Sequence, residues 1–366
     1  MNIRAAVLRD HSLRMPIECV AIGEPRNDEV LVRIVACGVC HTDLKVAHVK
    51  DLSPRPIVLG HEGAGVVERV GSSVSGLQQG DHVILTFDWC GHCTTCLNGK
   101  PSYCVHGPKM CFGGERPDGS ITLGGSQAPV HGSFFGQSSF ATHAIANERN
   151  AIRIDKDLPL EFMAPLACGL QTGAGAVLNT FKLGSGQSIA VFGVGAVGLA
   201  AVMAARIAGA GKIFAVDISA ERLSLAAELG ATRTINTASE NALERIRSLT
   251  AGGVDFALDT TAVDSIIHQA IECTGPLGTC GLIANKGPTH QASLNILNAM
   301  LKGRTVRGIV QGDSLPSVFL PRLAEFYRKG QFPIERLVKF YAFEDIDLAL
   351  AEAEAGMVIK AVLKMS

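Results

Sequence analysis

Short runs of β-branched and apolar residues, bounded by Gly, Asp and Asn, recur through roughly the first 160 residues. They fall at 30–36, Gly63–Val70 and 82–86 and predict strands separated by loops. From about Ser188 the pattern changes. Strand-like runs at Ser188–Phe192, 212–216, 254–258 and 279–283 alternate with helical stretches such as Ala220–Leu229. Ser219 is placed to cap that helix and Gly230 to stop it. Such alternation implies a parallel sheet covered by helices. After about Val310 it lapses. A helix over 316–329 follows Ser314, another near 344–355 stops at Gly356, and a last strand covers 358–363. The expected class is α/β, with a doubly wound parallel sheet joined to a β-rich domain.

The length, 366 residues, fits about two domains. Lys and Arg number 33 against 34 Asp and Glu, a net charge of −1. That leaves no basic surplus for phosphate contacts and argues against a nucleic-acid partner. Residues 183–205 carry no charge, which passes the length test for a membrane span. Five glycines interrupt the stretch, so a strand, a turn and a helix explain it better. The N-terminus lacks the long apolar run of a secretory signal. Eleven cysteines then imply a reducing, cytoplasmic setting and metal binding in place of disulfides.

Cys90, Cys93, Cys96 and Cys104 form C-x₂-C-x₂-C-x₇-C in a turn-rich segment. Four thiolates close a tetrahedral zinc site with no open position, a structural arrangement. An iron–sulfur cluster is the rival, but bacterial ferredoxins use a shorter last spacing followed by Pro. Cys40, His61 and Cys168 form a scattered second set. Two thiolates and one imidazole leave a fourth zinc position open, the catalytic arrangement. Singly each residue is a weak signal, since a lone cysteine is more often a small core residue.

The run from Ser188 enters G-x-G-x-x-G at Gly193, Gly195 and Gly198 and continues into good helix formers. Asp217 ends the next strand, nineteen residues after Gly198. Such a turn lets backbone approach a pyrophosphate, and the acid can hold a ribose 2′-hydroxyl, which favours NAD over NADP.

Together these residues resemble the zinc-dependent alcohol dehydrogenases of the medium-chain dehydrogenase family, over nearly the whole chain. The resemblance rests on Gly38-Val-Cys-His-Thr-Asp, Gly60-His-Glu-Gly-Ala-Gly, the four-cysteine loop and the glycine turn. Phe134-Phe-Gly-Gln-Ser-Ser-Phe-Ala-Thr-His resembles the aryl-alcohol and geraniol dehydrogenase branch. The resemblance implies a GroES-like catalytic domain over 1–169 and 311–366, and a Rossmann coenzyme domain over 170–310. It implies zinc at two sites, NAD, a homodimer or homotetramer, and oxidation of primary aromatic or allylic alcohols to aldehydes.

Roles carry over by matched position. Glu62 matches an acid beside the zinc, and Asp43 one that orients the ligand His. Thr42 matches the hydroxyl that takes the alcohol proton. His41 and Lys360 match basic contacts to the cofactor pyrophosphate. Arg222 matches the residue near the adenosine ribose, and Thr172 one beside the nicotinamide. Phe87, Trp89, Phe134 and Phe135 match pocket positions, with core packing the competing reading. Lys45 stands where many members end the proton relay with His. A solvated lysine is charged at neutral pH and a poor base, so either burial lowers the Lys45 pKa, or His41, His48 or water completes the relay, or Lys45 is a surface residue with no part in it. Rival readings are a glutathione-dependent formaldehyde dehydrogenase, a non-catalytic zinc and NAD-binding protein, and the zinc-free quinone reductases, which lack both cysteine sets. Cys19, Cys37, Cys111, Cys273 and Cys280 are expected to pack in cores.

Overall fold

The computed structural model describes residues 1–124 and 129–365. The chain divides into two compact units, Met1–Cys168 with Leu315–Ser366, and Gly169–Ser314.

The first unit is built on antiparallel strands. A five-stranded sheet runs in the order Ile57–Val58, Asn2–Leu8, Ile17–Ile22, Leu123–Gly124, Pro129–Val130. A seven-stranded sheet centres on Glu29–Gly38, which pairs with Gly63–Val70, His143–Asn147 and Lys360–Lys364. Val338–Ala342 pairs parallel to Lys360–Lys364, and His82–Leu85 and Ala151–Ile154 extend the other side. Val30, Leu31, Val32 and Ile34 are buried, so their strand is covered on both faces, which its almost unbroken apolar run already implies. Two helices of this unit, Pro316–Arg328 and Ile346–Glu354, come from the returning C-terminal segment.

The second unit is a six-stranded sheet, parallel throughout. Its order is Arg233–Asn236, Lys212–Asp217, Ser188–Phe192, Val254–Asp259, Thr274–Leu282, Thr305–Gly308. Numbered along the chain this is 3-2-1-4-5-6, the doubly wound order of dinucleotide-binding folds. The order reverses beside Ser188–Phe192, so the turn that leaves this strand lies at the switch point where such sheets bind ligands. Ser219 caps the helix Ala220–Leu229 by accepting from Arg222 N at 3.3 Å, and Gly230 ends it with φ 130°.

Among the described residues no helix is long and apolar enough to cross a membrane; the uncharged stretch divides into Ser188–Phe192 and the helix Ala196–Ile207. All eleven cysteines are free of disulfides. Cys37, Cys111, Cys273 and Cys280 are buried, but Cys19 is exposed, contrary to expectation. In Ile17–Ile22 Val20 and Ile22 turn inward and Cys19 and Ala21 outward, so the alternation of the strand places the thiol in solvent.

Candidate functional site

Cys40 lies at the N-terminal boundary of the helix His41–His48. Leu44, Val46 and Ala47 bury one face of that helix, while His41 and His48 stay exposed. His61 follows Gly60, whose φ of +85° is open to glycine at little cost; a Cβ there would lie 2.4 Å from Phe140 N. Cys168 follows the turn Ala164–Ala167, whose last carbonyl accepts from the buried Thr86 hydroxyl at 2.7 Å. These three anchors bring donor atoms of Cys40, His61, Glu62 and Cys168 within 4.8 Å of one another.

Asp43 organises this cluster from behind. Its Oδ1 accepts from His61 Nδ1 at 3.0 Å and from Gly60 N at 3.1 Å, and its Oδ2 accepts from Cys40 N at 3.0 Å. One fully buried carboxylate therefore fixes the backbone at Cys40 and at Gly60, just before His61, and the tautomer of the imidazole. His61 Nε2 is left buried with no hydrogen-bond partner. A buried acceptor with two thiols beside it is what a three-ligand zinc site requires, so the residues fit the metal. Hydrogen bonding from Cys168 and the nearby His61 hold the Cys40 thiol well below its usual range, while the same hydrogen bond pushes Cys168 up.

Glu62 and Lys360 form a buried ion pair at 2.6 Å, and the ammonium also donates to Val39 O at 2.9 Å. Burial pushes the Glu62 carboxyl up to about 7 against the pull of Lys360. The sequence reading gave Lys360 to the cofactor pyrophosphate. Here its charge is engaged beside the metal cluster, because a buried carboxylate is a closer partner for a lysine that is itself 3 % exposed.

The segment after Ser133 wraps the imidazole. The Phe135 ring stacks on His61 with centroids 4.4 Å apart, and Phe134 meets it edge-on at 5.6 Å. Phe135 takes φ 54°, ψ 28°, a left-handed conformation that costs a non-glycine residue on the order of 1–3 kcal/mol. Phe134 is 0 % exposed and offers no surface to a substrate, so its reading as a pocket wall is corrected to packing on the ligand ring. Phe87 and Trp89 are buried and pack on each other at 5.3 Å.

Gln137 is a residue the sequence reading quoted but gave no role. Its buried Nε2 donates to the carbonyls of His61, Leu85 and Thr86, and its Oε1 accepts from Gly63 N and the Ser139 hydroxyl. It acts as a strand partner for the backbone on both sides of Glu62. Asn150 works alongside, donating to Thr86 O at 3.1 Å. For Gln137 the available signal was a side-chain amide in a run otherwise made of Phe, Gly, Ser and Ala.

The second cysteine set also assembles. Cys90, Cys93, Cys96 and Cys104 lie within 4.8 Å, with sulfur separations of 3.4 Å for Cys93–Cys96 and 3.9 Å for Cys90–Cys96 and Cys93–Cys104. Four sulfurs bonded to a tetrahedral zinc stand roughly 3.8 Å apart, so the cage fits. Backbone N–H groups of Cys90 and Cys93 each donate to a cage sulfur at 3.3 Å, which favours thiolate.

In the second unit the three glycines have separate reasons. Gly193 has φ +83°, and a Cβ would lie 2.6 Å from the Thr260 hydroxyl. Gly195 has open space, as backbone meant to approach a pyrophosphate needs. Gly198 lets helix pack on strand, since a Cβ would fall 1.9 Å from Gly193 O. Asp217 Oδ2 accepts from Val194 N at 2.8 Å, and its Oδ1 from Ile218 N and Ser219 N at 2.8 and 2.9 Å. The acid is therefore held rigidly against the turn. Arg222 is half-buried in the first turn of the next helix, and Thr172 is buried in the helix Gly169–Gly175.

Residues 26–156 match the alcohol dehydrogenase GroES-like domain, and residues 196–326 match the zinc-binding dehydrogenase domain. The chain is 46 % identical to geraniol dehydrogenase of Castellaniella defragrans over 99 % of its length and 98 % of that protein's. Among solved structures it superposes on a zinc-binding-domain alcohol dehydrogenase protein of Burkholderia ambifaria, with TM-score 0.98 and 47 % identity over 100 % of this chain and 99 % of that one. It superposes equally on benzyl alcohol dehydrogenase of Acinetobacter calcoaceticus, with TM-score 0.97 and 41 % identity over 100 % of both chains.

Proposed function

The chain belongs to the zinc-dependent medium-chain alcohol dehydrogenases, and from that premise we propose that it oxidises primary aromatic or allylic alcohols to aldehydes with NAD. The observation that carries the chemistry is the Cys40–His61–Cys168 cluster, with Cys40 half-buried and the other two buried, and its orphaned imidazole nitrogen. When bound, zinc supplies a Lewis acid that lowers the pKa of an alcohol, and the nicotinamide supplies the hydride acceptor. Cys40, His61 and Cys168 would hold the metal. Asp43 fixes the imidazole, and Phe135 covers the ring face. Thr42, half-buried one residue before Asp43, takes the proton of the substrate hydroxyl and passes its own onward. The four-cysteine cage would hold a second, structural zinc. The full-length likeness to a geraniol and a benzyl alcohol dehydrogenase supports the substrate class.

Asp217 supports NAD over NADP, because its fixed carboxylate accepts from ribose hydroxyls and repels a 2′-phosphate. A hydrogen bond to a charged group contributes about 1.5–3 kcal/mol, so kcat/KM with NAD will exceed that with NADP by roughly tenfold to a hundredfold. Initial rates with each cofactor at fixed alcohol check this, and a higher value with NADP contradicts it.

The chain is also proposed to be a homodimer or a tetramer of such dimers. The edge strand Thr305–Gly308 is exposed at all four residues, and Leu277, Ile296, Leu297, Met300 and Leu301 are exposed on the same unit. An open strand edge among bare apolar side chains is a liability unless a second copy covers it. Sedimentation equilibrium at micromolar protein will give a dimer or tetramer mass; a monomer contradicts this.

A further inference from the structure

Two histidines of the metal loop have no place in the chemistry above. His92 sits between Cys90 and Cys93, and His106 is the second residue after Cys104. Both are exposed, and their rings lie 5.8 Å apart at 37°. One ring nitrogen of each lies within 4.8 Å of the other and of the Cys90 sulfur. We propose that His92, His106 and the Cys90 sulfur form a third, exchangeable site for a borderline transition-metal ion, sharing one thiolate with the four-cysteine centre.

The geometry favours ligation over a chance surface pair. His92 Nδ1 lies 2.9 Å from the Cys90 carbonyl oxygen. A carbonyl can only accept, so Nδ1 carries the proton and the neutral ring presents its Nε2 lone pair. Metal-bound histidines are usually braced in this way through their other nitrogen. His106 precedes the helix Gly107–Phe112, and Met110 N donates to His106 O at 3.0 Å, so the two residues stand one turn apart. Cys90, His92, His106 and Met110 line one cavity of about 560 Å³. Imidazole and sulfur donors select zinc and its thiophilic neighbours over magnesium or calcium, which take oxygen.

Donors on a tetrahedral zinc stand roughly 3.3–3.8 Å apart, so exposed imidazoles reach that spacing by small side-chain rotations. A thiolate in the four-cysteine cage keeps lone pairs and can bridge to a second ion. The third ion is bound by fewer cysteines than its neighbour and exchanges with solvent, which places a landing point for zinc at the mouth of the structural centre.

Equilibrium dialysis of the two-zinc holoenzyme against micromolar zinc tests this. The wild type will take up one further equivalent. The double variant His92→Ala, His106→Ala will keep two zinc ions and full turnover of benzyl alcohol but lose the third equivalent. With cobalt as the probe, the difference between wild type and variant will contain a thiolate-to-cobalt band in the near ultraviolet. The proposal is overturned by a wild type that stops at two equivalents, by a variant that still binds three, or by a cobalt difference without that band. A chain that never holds two tight zinc ions would instead contradict the proposed function, and zinc analysis before dialysis separates the two failures.

Discussion

Replacing Cys168 by alanine will lower turnover by at least about a thousandfold while the circular dichroism spectrum stays that of the wild type. The expected loss follows from Lewis-acid stabilisation, which supplies several kcal/mol, with each 1.36 kcal/mol a factor of ten. The fold survives because Cys168 sits after a turn already anchored by the Thr86 hydroxyl on Ala167 O, and because Asp43 holds His61 and Cys40 without it. Cys96→Ala will give the opposite pattern. Its sulfur belongs to a cage in a loop with little core of its own, so the melting midpoint will fall by at least about 5 °C, a shift of more than 1 kcal/mol of folding free energy. Zinc analysis will find one ion fewer in each variant. Wild-type turnover in Cys168→Ala, or an unchanged midpoint in Cys96→Ala, contradicts the division into catalytic and structural centres.

Thr42→Ala will lower kcat by about a hundredfold or more, the contribution of a positioned proton-transfer group. Lys45→Ala will change it less than about threefold, because a group acting beyond the threonine is replaceable by water. His48 is no free substitute, since its Nε2 lies 2.7 Å from Glu354 Oε1. Steady-state kinetics across pH distinguish the cases. A large loss in Lys45→Ala with an altered pH profile would make Lys45 the terminal acceptor.

The inner four strands of the parallel sheet were legible because each carries an apolar run, and the turn because its glycines keep the spacing a dinucleotide site needs. The edge strands Arg233–Asn236 and Thr305–Gly308 were not. Edge strands face solvent, so their short mixed sequences carry no apolar signal. The strand Thr274–Leu282 begins five residues before its expected start, because Thr274-Gly-Pro-Leu-Gly reads as a turn and only pairing with Val254–Asp259 draws it into the sheet. In the site, spacing singled out only Cys90, Cys93, Cys96 and Cys104; Cys40, His61 and Cys168 were weak signals taken singly, and they and Asp43 took their roles from the family resemblance. The Lys360–Glu62 pair joins residues 298 apart, and the Gln137 clamp joins residues 76 apart, so no local pattern could show either. Phe134 and Phe135 were visible as aromatic but not as to which face they cover, since ring orientation follows from the left-handed backbone at Phe135.

The ratio of kcat/KM for benzyl or geranyl alcohol to that for ethanol, measured with NAD as nicotinamide absorbance rises, tests the central claim most directly. Burying a ring or an isoprenoid chain adds apolar contact worth several kcal/mol at most, at roughly 25 cal/mol per Å², which ethanol cannot make. The account predicts a ratio of at least about a hundred. A ratio near one, with zinc and NAD dependence intact, would contradict the assignment to aromatic and allylic alcohols.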